Sequence, residues 1–263
     1  MPAFNAAKTL EITYTDLPHD KVDSVILVDD GSSDETLAIA RKLNLKAFVH
    51  SQNYGYGANQ KTCYIEALKD QATIIVMVHP DYQYDPKLLP DIVKPIEDGV
   101  ADVVFGSRMM GESAYSQGMP WWKFFANKFL TQMENWVFNL DLSEYHTGYR
   151  AYNRKALESV NFLANSDGFI FDQEIVAQLV ACNFNIVDVP VPVRYFPEAS
   201  SASFIDSSIY GLKILALLGR VVLHKYKLFN NSKLTNIHQR YNEVAEFCGL
   251  TPVKFCHFPP QIR

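Results

Sequence analysis

The chain lacks the sequence features of several common protein classes. Its 263 residues include 24 Lys or Arg against 29 Asp or Glu, a formal net charge of −5. No basic excess is available to hold a nucleic acid backbone, so nucleic acid is not an expected partner. The sequence also has no Gly-x-Ser-x-Gly nucleophile elbow and no Gly-x-x-x-x-Gly-Lys-Ser/Thr phosphate loop. Those absences disfavour a hydrolase triad and a P-loop ATPase.

Cysteine is scarce and scattered. The four cysteines form no Cys-x-x-Cys pair, which fits free thiols in a reducing compartment. Cys248, Cys256 and His257 could supply half of a metal site, but their spacing is not that of a zinc finger. Residues 1–10 contain no apolar signal segment, and residues 209–223 are too short and too charged to predict a membrane span. The expected location is the cytoplasm, or the cytoplasmic face of a membrane.

Strand and helix patterns alternate along the first 110 residues. Short β-branched runs predict strands at 24–29, 46–50, 73–78 and 102–105, with helices near 35–43, 58–68 and 88–97. The run at 73–78 is continuously apolar, as in a strand buried on both faces. Alternation at this spacing predicts an α/β fold, with a mostly parallel sheet flanked by helices.

Polar residues follow three of the predicted strands, where parallel α/β sheets bind their ligands. Asp29 and Asp30 close the strand at 24–29, and a carboxylate there can accept hydrogen bonds from a ribose or a base. The same acids could instead cap the next helix. Arg108 follows the strand at 102–105, where a guanidinium suits a phosphate clamp or a surface salt bridge.

A candidate metal site follows the strand at 73–78. Asp81 and Gln83 are oxygen ligands spaced by one residue in an extended loop, so both can face one divalent cation. His79 lies two residues upstream on the same side, as a further ligand or a phosphate donor. Mg²⁺ and Mn²⁺ prefer such ligands and share them with substrate phosphates. The alternative is that Asp81 is an ordinary turn residue.

Other polar residues are candidates for catalysis. Arg150 lies in a polar loop beside glycine and suits a diphosphate. Asp172 and Glu174 stand near a helix start, where a carboxylate can act as a general base or complement the helix dipole. Gly55 and Gly57 resemble a dinucleotide-binding Gly-x-Gly-x-x-Gly without its third glycine, so close approach of the backbone to a neighbouring loop is the preferred explanation.

The second half of the chain is less regular. Its patterns predict helices at 121–138 and 170–182, a strand at 185–195 and a long apolar-basic helix at 207–229. Prolines interrupt the strand, which predicts an edge position or a bend. The apolar-basic helix fits an interfacial helix on an anionic membrane, or a helix packed on the domain with its basic end exposed.

The chain divides into a domain at 1–205, the apolar-basic helix at 206–229 and an appendage at 230–263. Residues 2–5 look like the turn that should follow a strand, although only Met1 precedes them. The first strand of the sheet is therefore expected to be missing or truncated.

Together the motifs resemble the nucleotide-sugar half of a glycosyltransferase family 2 enzyme with a GT-A fold. They are Pro2-Ala-Phe4-Asn5, Ile26-Leu-Val-Asp-Asp-Gly-Ser-Ser-Asp34-Glu-Thr36, Asn53-x-Gly55-x-Gly57, Gly106-Ser-Arg108, Thr147-Gly-Tyr-Arg150 and Val189-Pro-Val-Pro192. The resemblance covers about residues 1–200. It points to the branch that includes dolichyl-phosphate mannose synthase and other polyprenyl-phosphate sugar transferases.

The resemblance implies inverting transfer of a sugar from a UDP- or GDP-linked donor to a lipid phosphate or a saccharide, assisted by Mg²⁺ or Mn²⁺. Peripheral contact with a membrane is the other expected interaction. By position, the nucleotide-binding residues would be Pro2, Phe4, Asn5, Asp29, Asp30, Gly55 and Arg108, the metal ligands His79, Asp81 and Gln83, and the catalytic residues Arg150, Asp172 and Glu174.

Three positions depart from the family pattern. His79 replaces the first acid of the metal motif, Ala6 stands where an acid often follows, and residues 197–203 replace an Arg-x-x-Gly-x-Ser stretch. Two other activities stay open: a nucleotide-sugar-binding protein with little or no turnover, and an NAD-dependent oxidoreductase suggested by the Gly55 to Gly57 fragment. A sugar nucleotidyltransferase is disfavoured, because no glycine-rich, lysine-bearing loop opens the sheet.

Overall fold

The computed structural model of the protein describes residues 1–110, 119–192, 204–229 and 231–235. The strands in these residues are β1 (Pro2–Ala3), β2 (Ile26–Asp29), β3 (Lys46–Val49), β4 (Ile74–Met77), β5 (Val103–Ser107), β6 (Arg150–Asn153) and β7 (Ile186–Pro190). The helices are α1 (Leu10–Thr15), α2 (Thr36–Lys42), α3 (Tyr56–Lys69), α4 (Leu89–Glu97), α5 (Trp121–Phe138), α6 (Arg154–Ser159), α7 (Phe171–Ala181), α8 (Phe204–Lys225) and α9 (Ser232–Thr235). The cysteine–histidine group near the C-terminus, the stretch 197–203 and most of the predicted appendage lie outside the described residues.

The strands form two sheets, one with the order β1-β2-β3 and one with the order β4-β6-β5-β7. All pairs in the first sheet are parallel, as is the pair of β5 with β7. Strand β6 is antiparallel to β4 and to β5. The predicted α/β architecture with mostly parallel pairing is therefore observed, and β7 lies at a sheet edge as its prolines predicted.

The hydrophobic core lies on both faces of the second sheet. Alternate residues of β5 face opposite sides: Val103 and Phe105 belong to one buried cluster, and Val104 to the other. This follows from the two-residue repeat of a strand. Helices α3 and α7 contribute to the first cluster, and α4 to the second. The loops at the carboxyl ends of the strands are thereby held on a rigid base.

A slot separates the two sheets, between β2 and β4. It is a cavity of about 100 Å³, lined by Met1, which precedes β1, by Ser24 and Ile26 on the β2 side, by Cys63 and Ala67 of α3 and by β4. Four consecutive residues of β4, Ile74–Met77, line it. One face of a strand would contribute only alternate residues, so the slot is bordered by the backbone edge of β4. No strand in the described part of the chain pairs with that edge.

The N-terminus differs from its predicted form. Pro2 and Ala3 are themselves the first strand, in parallel register with Val28 and Asp29, rather than a turn after it. The Met1 ammonium group donates a hydrogen bond to the carbonyl of Ile26 at 2.8 Å. The first strand is thus short but present, and it extends along only part of β2.

Four further elements were not predicted: α1, β6, α6 and α9. Residues 144–150 were read as a polar loop, and β6 begins at the end of that loop. Helix α8 spans Phe204–Lys225, slightly upstream of the predicted range. Within Asp206–Lys225, an 18-residue window has a mean hydropathy of 1.3, and 22% of it is buried. One described helix is therefore long and apolar enough to cross a membrane by length and composition alone.

Candidate functional site

The strand ends bring most of the predicted residues to one edge of the molecule, which we call the carboxyl edge. Asp29 is the last residue of β2, and it is fully buried. Its Oδ2 atom accepts a hydrogen bond from the Ser32 N–H at 2.9 Å. In the described residues its Oδ1 atom is buried and has no hydrogen-bond partner. An unsatisfied buried acceptor costs about 1–3 kcal/mol, which a ligand donor reaching it would recover.

The residues after β1 form the lip beside Asp29. The Phe4 side chain is 51% exposed. Asn5 adopts a left-handed backbone, with a φ of 51°, and its side-chain oxygen accepts a hydrogen bond from the Ser33 N–H at 2.9 Å. The Asn5 N–H donates to the Ser32 hydroxyl at 2.8 Å. These hydrogen bonds hold Asn5, a predicted nucleotide-binding residue, against the two serines that follow the end of β2.

Asp30 organises the loop after β3. Its Oδ1 atom lies 2.7 Å from His50 Nδ1 and accepts the Tyr54 N–H at 3.0 Å, and its Oδ2 atom accepts the Gly55 N–H at 2.9 Å. These contacts connect the end of β2 to the start of α3. Asp30 thus shapes the site through the backbone of this loop.

The two glycines before and within α3 allow a second loop to dock. A Cβ atom on Gly55 would lie 2.6 Å from the carbonyl oxygen of Asp167, and one on Gly57 would lie 2.4 Å from that of Ser166. The Gly57 N–H donates to the Asp167 carbonyl at 2.7 Å, and Lys61 binds the Asp167 carboxylate at the same distance. Close backbone approach, the preferred explanation for these glycines, is confirmed. A dinucleotide is not needed to explain them.

A hydrogen-bonded cluster lies where α3, the loop after β4 and α7 meet. The Tyr56 hydroxyl donates to Asp172 Oδ2 at 2.8 Å and lies 3.4 Å from His79 Nε2. The Tyr56 and His79 rings are stacked, with centroids 5.6 Å apart. Gln60 Nε2 donates to Asp172 Oδ1 at 3.1 Å. Burial, and then the Asp172 carboxylate, raise the pKa of Tyr56 well above its usual value, so the phenol stays protonated as a donor.

Gly148 fixes the place of the His79 ring. A Cβ atom at this position would lie 2.7 Å from both Cδ2 and Nε2 of His79. Burial lowers the pKa of His79, although Asp81 and Asp172 oppose that effect. Because Gly148 has no side chain, the imidazole has room to lie beside the cluster.

The predicted metal ligands lie in a turn, not in the extended loop that the sequence predicts. Asp81 Oδ1 accepts the Gln83 N–H at 3.0 Å, and Tyr82 between them has a φ of 57°. Among the described residues no group of three His, Cys, Asp or Glu side chains could hold a metal ion. The turn accounts for the Asp81 contact without a metal, and metal binding by His79, Asp81 and Gln83 stays a prediction.

Arg108 is held by a buried acid that the sequence patterns did not single out. Glu144 is fully buried, and it accepts hydrogen bonds from Arg108 Nε at 3.0 Å and from the Arg108 backbone N–H at 2.7 Å. Burial opposes ionisation of Glu144, but the Arg108 guanidinium overcomes this and lowers the pKa of Glu144. Arg108 also donates to the His146 carbonyl. This pair joins the end of β5 to the loop before β6.

Arg150 is buried rather than displayed in a loop. Its guanidinium donates to the carbonyl groups of Thr147 at 2.7 Å, Tyr145 at 2.7 Å and Asp172 at 3.0 Å. It also lies over the Phe105 ring, 4.5 Å from the centroid. These donors are used within the protein. Arg150 therefore joins the loop before β6 to the first turn of α7 by hydrogen bonds. The sequence patterns did not indicate this structural role.

Asp172 and Glu174 make different contacts although both lie in the first turn of α7. Asp172 faces the Tyr56 cluster described above. Glu174 accepts a hydrogen bond from the Ser166 N–H and forms an ion pair with Lys233 of α9. Glu174 thus ties α9 and the loop before α7 to the domain. Lys233 is 59 positions away, a distance at which no sequence spacing could have indicated the pair.

The sequence is similar to those of a known protein family and of two proteins with assigned names. Residues 1–160 match glycosyl transferase family 2. The chain is 25% identical over 174 residues to polyprenol monophosphomannose synthase of Mycolicibacterium smegmatis, covering 64% of this chain and 65% of that protein. It is 24% identical over 212 residues to UDP-N-acetylglucosamine–dolichyl-phosphate N-acetylglucosaminyltransferase of Methanococcus voltae, covering 74% of this chain and 84% of that protein.

A solved structure with a similar fold is glucosyl-3-phosphoglycerate synthase of Mycobacterium tuberculosis, in complex with Mn²⁺, UDP and phosphoglyceric acid. The TM-score is 0.63 at 17% sequence identity, covering 85% of this chain and 75% of that one. Similarity at this level of identity concerns the fold. The predicted GT-A architecture is confirmed.

Proposed function

Because the chain belongs to glycosyl transferase family 2, we propose that it moves a sugar, with inversion, from a nucleoside diphosphate donor to a phosphate group carried by a lipid. Its class, glycosyltransferase, follows from the family and from the relatives named above. UDP and GDP are the candidate donor nucleotides, and a saccharide is the alternative acceptor. The reaction would take place on the cytoplasmic face of a membrane.

The unpaired Oδ1 atom of Asp29 is the observation that carries the donor part of this proposal. It lies at the carboxyl end of β2, and the half-exposed Phe4 ring follows the neighbouring strand β1. An apolar ring beside a buried acceptor is suited to a nucleoside, which presents both a flat face and N–H or O–H donors. In this role Asp29 accepts a hydrogen bond from the nucleoside, while its other oxygen stays bonded to the Ser32 N–H.

The diphosphate would lie near Asp81, which follows β4 at the carboxyl edge. A divalent cation held there by Asp81 and the diphosphate, with Gln83 and His79 as neighbours, would offset the negative charge of the leaving nucleotide. The chain's own contribution is positional. Tyr56 and Gly148 fix the His79 ring, and Asp81 fixes the turn through the Gln83 N–H.

The two acids of α7 support an acceptor that needs no general base. Asp172 accepts hydrogen bonds from Tyr56 and Gln60, one on each carboxylate oxygen. Glu174 is engaged by Lys233 and the Ser166 N–H, also one on each oxygen. A hydroxyl acceptor must lose a proton to a free base, whereas a phosphate acceptor is already ionised. Both carboxylates are buried as well as hydrogen-bonded, which favours a phosphate acceptor, and the names of both relatives point to the same acceptor chemistry.

Thermal unfolding with added nucleotides tests the donor. UDP, GDP, CMP and NAD would each be added with and without Mn²⁺ or Mg²⁺. A nucleotide present at about one hundred times its dissociation constant stabilises the protein by roughly 2.7 kcal/mol. We expect stabilisation by UDP or GDP that increases with metal and is lost in Asp29→Asn, but is retained in the surface control Asp98→Asn. Stabilisation by NAD alone, or by none of the four, would contradict the proposal.

Transfer of labelled sugar from the stabilising donor tests the acceptor. Polyprenyl phosphate and a soluble saccharide would be compared as acceptors for the wild type, Asp172→Asn and Glu174→Gln. We expect transfer to the lipid phosphate, with near-full activity in Glu174→Gln because that carboxylate takes no proton. Transfer to the saccharide together with loss of activity in either variant would support a hydroxyl acceptor and a carboxylate base instead.

A further inference from the structure

Helix α5 carries an exposed aromatic stripe. Trp121, Phe125, Phe129 and Trp136 recur at intervals of four, four and seven residues, which places them on one side of a helix. All four are exposed, Trp136 by 73%. The opposite side of α5 is buried and includes Asn127, Thr131 and Glu134. Large exposed rings in a continuous row are uncommon on a surface that only water contacts.

Helix α8 carries a second apolar stripe. Ile209, Leu212 and Leu223 are exposed, Leu212 by 67%. Its other side packs into the core, where Ile214 and Leu218 belong to the same buried cluster as Phe105 and Tyr152. The helix is therefore apolar both inward and outward. Contacts with the core explain the apolar residues on the inward side of α8, but not those on its outward side.

The two helices that carry the stripes pack against each other. Helix α5 packs against α8, and the Leu130 Cδ1 atom would lie 3.6 Å from a Cβ atom built on Gly211. Each of the two helices thus carries exposed apolar side chains beside its contact with the other. We call the combined exposed surface of the two helices the α5–α8 face.

The charge of the α5–α8 face is opposite to that of the protein. The whole chain has a formal net charge of −5. Exposed ionisable residues on or just after the two helices include Lys128, Lys213, Arg220 and Lys227. The only acids within the two helices are Glu134, which is buried, and Asp206, in the first turn of α8. Basic residues around large apolar side chains complement an anionic surface with an apolar interior.

We propose that the α5–α8 face binds the surface of a lipid bilayer that contains anionic lipids. Trp rings suit the boundary between headgroups and acyl chains, and lysine and arginine side chains bind the headgroups. This inference gives the proposed transferase a partner and an orientation. It rests on the exposed side chains of the two helices and not on the chemistry of the carboxyl edge.

Helix α8 lies on the bilayer rather than across it. A spanning helix would have lipid or other membrane-spanning segments on every side. The inward side of α8 is instead part of the core formed with β5 and β6, as its Ile214 and Leu218 show. Removing α8 from that core would expose the apolar side chains of the helix, and the apolar side chains of β5 and β6 that now pack against it. The 20 residues that pass the length and hydropathy test for a span are thus used in an interfacial position.

Sedimentation with vesicles, in the absence of any nucleotide, tests the proposal. The full chain would be mixed with vesicles of phosphatidylcholine alone, and with vesicles that also contain phosphatidylglycerol. We expect binding to the anionic vesicles that decreases at high salt. We expect the double variant Phe125→Ser with Phe129→Ser to lower the partition coefficient by about tenfold or more. Lys213→Gln with Arg220→Gln should lower it by roughly thirtyfold on anionic vesicles.

Matched controls come from exposed residues elsewhere on the molecule. Val49→Ser with Val100→Ser removes two exposed apolar side chains, and Lys42→Gln with Lys155→Gln removes two exposed charges. Both controls should bind vesicles as the wild type does. Thermal unfolding of each variant verifies that it is folded, which is expected because every substituted side chain is on the surface.

Several outcomes would overturn the proposal: no binding to anionic vesicles, binding unchanged by the Phe125 and Phe129 substitutions, or an equal loss in the controls. Size-exclusion chromatography distinguishes the other candidate occupant. A wild-type dimer that becomes a monomer in the Phe125 and Phe129 variant, without vesicle binding, would assign the face to self-association. Because no donor or acceptor is present, vesicle binding can succeed where the nucleotide and transfer experiments fail, and the reverse.

Discussion

At the scale of single residues, the absence of a side chain at Gly148 leaves the space in which the His79 ring lies. Replacement by alanine would place a methyl group 2.7 Å from the His79 ring, which must then move. Because displacement of a positioning group by about 1 Å can cost on the order of 10²-fold in rate, we expect Gly148→Ala to lower kcat/KM for the nucleotide-sugar donor by that order.

The control for this change is Gly219→Ala, since a Cβ atom on Gly219 would meet no atom within 4 Å. It should leave kcat/KM for the donor unchanged. Steady-state kinetics on both variants makes the comparison. Wild-type kinetics in Gly148→Ala would show that the His79 ring position does not matter for donor turnover.

The buried pair of Glu144 and Arg108 should make stability depend on pH. The pKa of Glu144 is lower in the folded protein than in the unfolded chain, so its stabilising effect is present above the unfolded value of about 4.3 and is lost as the pH falls through the folded value. At pH 7, Glu144→Gln leaves Arg108 without its charge partner and should lower the free energy of unfolding by about 3 kcal/mol.

Denaturant unfolding of wild type and Glu144→Gln at neutral and acidic pH measures this effect. The difference in free energy of unfolding between the two proteins should shrink as the pH falls below about 4. A difference that stays constant with pH would mean that the carboxylate charge contributes nothing to the pair.

At the scale of elements, the first turn of α3 is shaped by the loop that docks on it. Glycine inside an exposed helix usually lowers stability by about 1 kcal/mol relative to alanine. At Gly57 the sign should reverse, because the added methyl would lie 2.4 Å from the Ser166 carbonyl oxygen and 2.8 Å from Phe171 Cβ. Gly57→Ala should cost roughly 1–3 kcal/mol, as overpacking does.

Gly219→Ala in α8 has the same chemistry without the contact, and it should stabilise the protein by up to about 1 kcal/mol. Denaturant unfolding of the two variants provides the test. If both substitutions stabilised the protein, the loop at 165–169 would have moved to accept the extra methyl group at little energetic cost.

The elements also show what sequence patterns can and cannot give. Helix α5 was predicted with its observed bounds and β7 as an edge, because both depend on local signals, helical spacing and proline. Strand β6 was missed because Arg150 looks polar in sequence. Its charge is in fact buried, and its donors are used by backbone carbonyl groups.

In the candidate site, too, the sequence predicted the positions of residues near strand ends but not their long-range partners. The polar residues placed after strands, Asp29 and Asp81 among them, do lie at the carboxyl edge, since strand order alone determines that position. Their partners were not predicted. Glu144 lies 36 positions from Arg108, and Asp172 lies 116 from Tyr56, so only the folded chain brings each pair together. The roles of the site residues in donor and acceptor binding stay predictions.

At the scale of the whole molecule, the two sheets should differ in how readily their backbones open. Strand β5 is bonded on both sides and all five of its residues are buried, whereas among the described residues the β1–β3 sheet has three strands and its edge strand β1 has two residues. We expect amide hydrogen exchange to be slower in β5 than in β2. Addition of the stabilising nucleotide should slow exchange in β2 and leave β5 nearly unchanged. Mass-spectrometric exchange with and without nucleotide measures both, and uniform protection across the sheets would contradict the expectation.

The slot between β2 and β4 has a mechanical consequence. A continuous sheet resists bending between neighbouring strands, because each strand is hydrogen-bonded to the next. Along the slot, no strand-to-strand hydrogen bond in the described residues joins the two sheets. Asp29 belongs to one of them, and Asp81 follows a strand of the other. Across the slot the two sheets are held by side-chain packing instead, since Val28 of β2 lies in the same buried cluster as Ile75 and Met77 of β4. The gap between Asp29 and Asp81 therefore depends on that packing as well as on the strands.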